Sequence, residues 1–291
     1  MTKKFTETIE LQFTKMHGAG NDYVYVDARG QDRDWPALSV AMSDRHLGVG
    51  SDGLILALPS EKADLRMRMF NADGSEGEMC GNGIRCLVRF AFDNGIVPAE
   101  VSPVRVETMA GVLDVTPLGD EGDGMSGARV LMGEPRLIPA EIPVALDGMD
   151  VVIDEPLEVA GHSFRMTCVS MGNPHAVVFM DEPVDEFPLT ELGPKVEHHP
   201  LFPARVNFEI VNVLDGGKVL KTRVWERGSG ITMACGTGAC AVQVAARLNG
   251  LAGDRATIAL PGGELTVEWP GEGEVVMEGP VASVFEGEWE V

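Results

Sequence analysis

Short apolar runs, broken by glycine, proline, asparagine and aspartate, dominate the chain. They predict strands at Tyr23 to Val26, Leu54 to Leu58, Met67 to Phe70, Val104 to Thr108, Val112 to Val115, Val151 to Ile153, Ala176 to Met180, Phe208 to Val213, Val219 to Trp225 and Leu265 to Trp269. Helical spacing is rarer. After Cys80, residues Ile84, Leu87, Val88, Ala91 and Phe92 recur at helical intervals and Asn94-Gly95 supplies a stop, which predicts a helix packed on one face. A second stretch, Thr237 to Leu248, is apolar nearly all round and ends at Asn249-Gly250; such a helix must be enclosed. Weaker helical signals lie at Trp35 to Arg45, with Asp34 as N-cap and Pro36 in the first turn, and around Glu186 to Leu192.

The chain repeats itself at a shift of 155 positions. Cys80-Gly81-Asn82-Gly83 then falls on Cys235-Gly236-Thr237-Gly238, Arg68 on Arg223, Phe70 on Trp225 and Asn94-Gly95 on Asn249-Gly250, without a gap. Met16 meets Met171 in the same register, and Gly20-Asn21-Asp22 meets Gly172-Asn173-Pro174 after a three-residue slip. The expected architecture is two homologous halves, each a strand-rich layer around one central helix, joined near Leu131 to Met149.

Composition narrows the function classes. The 291 residues suffice for a sizeable core, and no apolar run approaches the ~20 residues that cross a bilayer. Met1 to Thr8 has lysines but no apolar stretch behind them, which predicts no secretory signal and a cytoplasmic location. Five cysteines, an odd number, read as free thiols. The formal charge of −22, with eight glutamates and no lysine or arginine after Arg255, disfavours nucleic acid as a partner.

Candidate chemistry sits at the two Cys-Gly-x-Gly motifs. Each puts a thiol at a helix entry, where first-turn amides lack intrahelical acceptors and the positive helix end favours the thiolate. One such site could be a phosphate cradle or an anion nest. Two of them, related by a pseudo-twofold, would put a thiol on each side of one bound molecule. Inverting a carbon that bears a proton needs a base on one face and an acid on the other, and two thiols supply both. Amides of Gly81, Asn82, Gly236 and Thr237 aimed at the adjacent carboxylate would stabilise the charge that develops as the proton leaves. None of the seven lysines sits in a recognisable Schiff-base context, so no pyridoxal phosphate or other cofactor is expected. Cys86 and Cys240 turn away from the first thiol of each pair and read as core, as does Cys168. A zinc site built on them with His175 or His198-His199 has the wrong spacing. His175, after Gly172-Asn173-Pro174, is expected at a loop tip.

These motifs together resemble the diaminopimelate epimerase family. The likeness runs in order through Met16-His17-Gly18-Ala19-Gly20-Asn21-Asp22-Tyr23, Asn71-Ala72-Asp73-Gly74-Ser75, Met79 to Cys86, Met171 to His175, Arg205-Val206-Asn207, and Glu226-Arg227-Gly228-Ser229-Gly230 with Ala234 to Ala239. The resemblance implies an α+β fold of two pseudo-symmetric halves, each a barrel-like, mostly antiparallel sheet wrapped around a central helix. Their bounds would be 1–131, completed by the last strand at 280–291, and 132–279, with the active site in the cleft between. It implies a cofactor-independent isomerase that interconverts LL- and meso-diaminopimelate for lysine and cell-wall synthesis, working as a homodimer. Cys80 and Cys235 would be the acid/base thiols, assisted by His175 and Glu226. Asn21, Asn71, Asn173, Asn207, Glu226 and Arg227 would hold the substrate, together with the amides of Gly81-Asn82 and Gly236-Thr237. Arg227 could pair bidentately with the far carboxylate. Many members carry Gln where this chain has Gly53, so no role transfers there. The stretch from about Asp120 to Gly127 and the acidic C-terminal strands read as lineage variation.

Two other readings stand beside this one: a proline or hydroxyproline racemase, which usually has His where this chain has Asn82, and a redox-sensing protein that cycles a disulfide between its two reactive thiols.

Overall fold

The computed structural model describes residues 10–119, 124–146 and 148–290; Met1 to Thr8 and the Asp120 end of the lineage-variable stretch lie outside them. The chain forms two compact units. One comprises the stretch up to Gly18, Asp22–Pro117 and the stretch from Val281; the other comprises Ala19–Asn21 and Leu118–Pro280.

The first unit is built from β1 (Glu10–Gly18), β2 (Asn21–Asp27), α1 (Trp35–Ser43), β3 (Gly53–Leu58), β4 (Leu65–Asn71), β5 (Glu76–Gly77), α2 (Gly81–Asp93), β6 (Val104–Thr108) and β7 (Gly111–Leu118). Strand β3 pairs parallel with β2 and antiparallel with β4, and β4 pairs parallel with β6. A parallel pair needs a long crossover, and the crossovers here carry α1 and α2. That connection explains the unbroken apolar run in β3. Leu54 and Leu56 join Trp35, Met42, Val24, Val26 and Phe70 in the cluster beneath α1, while Ile55 reaches Gly83 of α2 on the other face.

In the second unit β8 (Gly127–Leu131), β9 (Glu155–Val159), β10 (His162–Ser170), β11 (Pro174–Phe179), α3 (Leu189–Glu197), β12 (Asn207–Leu214), β13 (Val219–Glu226), β14 (Gly230–Ile231), α4 (Gly236–Leu248), β15 (Arg255–Leu260), β16 (Gly263–Glu268) and β17 (Val276–Pro280) repeat that plan. Strand β12 is parallel to β11 and antiparallel to β13, and β13 is parallel to β15 across a crossover that carries α4. Phe208 and Ile210 of β12 enter a cluster with Leu189, Val196 and Phe202. Since side chains alternate, Glu209 faces the opposite way, toward α4. The 131/132 junction read from the repeat lies inside this unit, because β8 pairs with β17. The last strand, β18 (Ala282–Glu290), pairs antiparallel with β1. Each unit is thus a mostly antiparallel, barrel-like sheet around one helix, an α+β architecture.

Several local expectations change. Val151 to Ile153 is not a strand: Asp154 takes a positive φ of 54°, and pairing starts only at Glu155, opposite Met166. Helix α1 stops at Ser43, where the Asp44 carboxylate accepts from the amides of His46 and Leu47. The helix sought at Glu186 to Leu192 is a single 3-10 turn at Val184–Glu186 followed by α3. Helix α2 buries more than one face, for Gly81 through Val88 are all buried. Its Arg85 tolerates this because the guanidinium donates to Gly81 O and Asn82 Oδ1, both at 2.9 Å. No helix among the described residues is long and apolar enough to cross a membrane.

Candidate active site

Both Cys-Gly-x-Gly motifs form the same helix entry. Cys80 and Cys235 are the N-caps of α2 and α4, with extended backbones, and each sulfur accepts from the amide three residues on, Gly83 or Gly238, at 3.3 Å. Glycine at those third positions lets a side chain from the neighbouring strand lie directly over the helix entry. A Cβ on Gly83 would stand 2.5 Å from Ile55 Cδ1, and one on Gly238 would stand 2.9 Å from Glu209 Oε1.

In the first unit Cys80 is half-buried and lies three residues after β5 in the chain. Asn71, at the end of β4, donates through Nδ2 to Ser75 Oγ at 3.0 Å. The Asn82 side chain accepts from Arg85 Nη2 through Oδ1 at 2.9 Å. Gly53 has no room for a side chain, since a Cβ would lie 2.1 Å from the Phe70 carbonyl oxygen.

The second unit gathers more of the candidate residues. His175 lies in β11 and is fully buried, so it is not at a loop tip: Pro174 opens the strand, and His175 pairs with Asn207 of β12. Its Nδ1 lies 2.7 Å from Glu209 Oε1 and its Nε2 lies 3.0 Å from Asn173 Oδ1. Asn173 Nδ2 donates to Thr237 Oγ1 at 3.1 Å, and Thr237 Oγ1 lies 3.4 Å from the Cys235 sulfur. Glu226, at the end of β13, accepts from Thr232 Oγ1 at 2.5 Å. Asn207 Oδ1 receives the Arg227 amide at 2.8 Å, whereas its buried Nδ2 meets no acceptor among the described residues. Arg227 is exposed, with Nη1 donating to Ala204 O at 3.1 Å. Asn21 belongs to this unit through the Ala19–Gly20 turn, which packs so closely on the β15–β16 turn that a Cβ on Gly262 would stand 2.1 Å from Ala19 O.

The electrostatics of Cys235 differ from the expectation that its helix end favours the thiolate. Burial pushes this thiol up, and the Glu226 and Glu209 carboxylates push the same way. The Thr237 hydroxyl and the Gly238 amide pull downward without prevailing. Burial also raises Glu226, opposed by Thr232, the His175 ring and the Cys235 thiol and reinforced by Glu209. Cys86, Cys168 and Cys240 are core, as expected. Among the described residues no group of three His, Cys, Asp or Glu side chains converges as a metal-holding set.

Sequence reasoning missed Glu209. A lone carboxylate inside the apolar run Phe208 to Val213 was the available signal, because a charge in a strand covered on both faces must be paired or used.

Comparison with known proteins identifies the family. The sequence profile of the diaminopimelate epimerase family matches residues 13–138 and 167–284. The diaminopimelate epimerase of Acetivibrio thermocellus is 52% identical over 280 residues, covering 96% of this chain and 98% of that one. That of Methanococcus maripaludis is 50% identical over 283 residues, covering 97% and 100%. Among solved structures, a hydroxyproline epimerase from Agrobacterium vitis aligns with a TM-score of 0.71 at 16% identity, over 97% of this chain and 93% of that one. A phenazine biosynthesis protein from Bacillus anthracis aligns with a TM-score of 0.67 at 17% identity, over 97% and 100%. Those two share the fold. With sequence matches spanning both helix-entry cysteines, the chain belongs to the diaminopimelate epimerase family.

Proposed function

We propose that the chain interconverts LL- and meso-2,6-diaminopimelate by a two-base mechanism. The observation that carries this reading is the repeated helix entry, in which Cys80 and Cys235 each cap a central helix and accept an amide at 3.3 Å. In the forward step one cysteine, as thiolate, takes the α-proton. The C–H electron pair moves toward the carboxylate, and the other cysteine gives its proton to the opposite face of the carbon. The reverse reaction exchanges the roles. Both thiols would serve one substrate, so that neither returns a proton to the face it left.

The remaining candidates divide by what they offer. The amides of Gly81-Asn82 and Gly236-Thr237 would take the carboxylate at the reacting carbon, whose charge grows in the transition state. Asn21, Asn71, Asn173 and Asn207 would hold amino and carboxylate groups, and the unpartnered Nδ2 of Asn207 is a donor that a ligand could use. Arg227 would pair with the far carboxylate, and His175 and Glu226 would assist proton movement at Cys235. The proton transfers use the chain's own groups and call on no cofactor. We assign the reaction to a cytoplasmic homodimer without nucleic-acid or membrane partners; the charge of −22 supports the exclusion of nucleic acid.

Chiral chromatography of LL-diaminopimelate incubated with the purified chain tests this. The meso isomer should accumulate. Cys80→Ala and Cys235→Ala should each lower the rate by about a thousandfold or more while remaining folded. A folded single variant with normal turnover would rule out the two-base scheme.

A further inference from the structure

The two helix entries differ in one buried position. Strand pairing aligns them: Leu54 lies opposite Phe70 and Phe208 opposite Trp225, and Phe70 and Trp225 are equivalent in the repeat. Ile55 and Glu209 therefore occupy the same place. Ile55 covers Gly83 with a methyl group, and Glu209 covers Gly238 with a carboxylate oxygen. The first unit thus shows that an apolar side chain suffices to build this entry. A fully buried carboxylate is costly to desolvate, a cost that an isoleucine avoids. Its presence in one unit alone points to chemistry rather than packing.

Resting on the two-base reading above, we propose that Glu209 is a positioning residue for the second acid/base centre. Through His175 and the start of α4 it holds Cys235 in its protonated form in the free protein, so that this half begins a turnover as the proton donor.

Three observations carry the assignment. Glu209 Oε1 meets His175 Nδ1 at 2.7 Å and Asn173 Oδ1 faces Nε2 at 3.0 Å, so the ring is clamped between two oxygens and links Glu209 through Asn173 and Thr237 to the Cys235 sulfur. Glu209 Oε2 takes no hydrogen bond from the described residues, so half of the carboxylate's charge is unspent in the interior. The same oxygen that binds the ring, Oε1, covers Gly238, whose amide caps the Cys235 sulfur. A second anion there is unfavourable. Of the other groups around this centre, Glu226 from β13 is a further carboxylate that acts on Cys235 in the same sense, whereas the Thr237 hydroxyl and the Gly238 amide on α4 act against it; His175 from β11 is the basic group paired with Glu209, and Cys168 from β10 is a buried thiol raised by burial and by Glu209. On β15 to β17, Arg255 pairs with Glu268 and Glu278 at the surface, and Glu264 is exposed.

The test is a pH titration of the substrate-free chain by carbon NMR, with labelled cysteine Cβ atoms assigned through Cys80→Ala and Cys235→Ala. In the unmodified chain Cys80 should become a thiolate at lower pH than Cys235. Glu209→Gln should lower the Cys235 midpoint by about one pH unit, or about tenfold more thiolate at a fixed pH below it, and leave Cys80 in place. Glu209→Asp should keep the Cys235 midpoint near its original value. An unmoved Cys235 midpoint in folded Glu209→Gln overturns the proposal. So does ionisation of Cys235 before Cys80 in the unmodified chain, which needs no variant to fold. Because no substrate is present, the result is independent of whether diaminopimelate is the molecule turned over.

Discussion

The Gly238 amide donates to the Cys235 sulfur at 3.3 Å, and no side chain can be added at Gly238 without meeting both that sulfur and Glu209. Replacing a helical glycine by alanine ordinarily stabilises by about 1 kcal/mol. Here the new Cβ would lie 2.9 Å from Glu209 Oε1 and 3.3 Å from Cys235 Sγ. Gly238→Ala is expected to leave the unfolding midpoint nearly unchanged, because helix propensity offsets the crowding, and to lower kcat about tenfold or more by displacing the thiol. Thermal unfolding and steady-state turnover, measured together, check this.

Arg227 combines an anchored backbone with an exposed guanidinium, its amide fixed by Asn207 Oδ1 and its Nη1 by Ala204 O. A lysine there keeps the charge and loses the planar fork that meets a carboxylate at two points. Arg227→Lys should raise KM about tenfold, change kcat less and leave stability alone. Initial rates over a range of substrate concentration separate these terms; an unchanged KM would place recognition of the far carboxylate elsewhere.

Glu197 supports Arg227 from behind. Its buried carboxylate, at the end of α3, accepts from Trp225 Nε1 at 2.7 Å and from the Gly228 amide at 3.0 Å. Glu197→Ala would strand both donors, at a cost of about 3 kcal/mol given the strength of hydrogen bonds to a charged acceptor. The turn that carries Arg227 would loosen at the same time. Urea denaturation should report the stability loss and KM should rise with it, whereas Glu197→Gln, retaining one acceptor oxygen, should fall between.

Alkali should weaken the fold through its buried thiols. Burial pushes Cys86 up to about 11, with the Arg85 guanidinium pulling the other way. In the unfolded chain the same thiol ionises near 8.5. Between those values the unfolded chain sheds a proton that the folded one keeps, so stability is full below the lower value and declines as pH rises toward the upper. This group alone contributes a decline of about 3 kcal/mol. Cys86→Ala removes its share, and the slope of stability against pH between 9 and 11 should flatten in denaturation curves, although Cys235 and Tyr25, raised by burial, keep it from vanishing.

What the sequence revealed followed from how strongly packing imposes a pattern. Strands β3 and β12 are covered on both faces, so their apolar runs stood out, and α4 announced its enclosure by being apolar all round. Strand β18 is largely exposed and glutamate-rich; it pairs with β1 and packs Trp289 on the core beneath α1, but its alternation of Phe285, Gly287 and Trp289 with glutamates carries too few apolar side chains to stand out. The thiols were legible because Cys-Gly-x-Gly occurs twice in register. Their ionisation was not, since a helix end is a local feature whereas the carboxylates of Glu226 and Glu209 reach Cys235 from strands distant in the chain. His175 was misplaced for the same reason: the Gly-Asn-Pro turn is local, but its parallel pairing with Asn207 spans the crossover that carries α3.

Proton NMR of LL-diaminopimelate in D2O, with the reduced and metal-free protein and with proline run in parallel, tests the two-base epimerase assignment most directly. Loss of the α-proton signal with appearance of the meso isomer, for diaminopimelate and not for proline, is the expected result. Exchange on proline alone would retain the thiol chemistry and overturn the substrate, and exchange on neither would contradict the epimerase assignment itself.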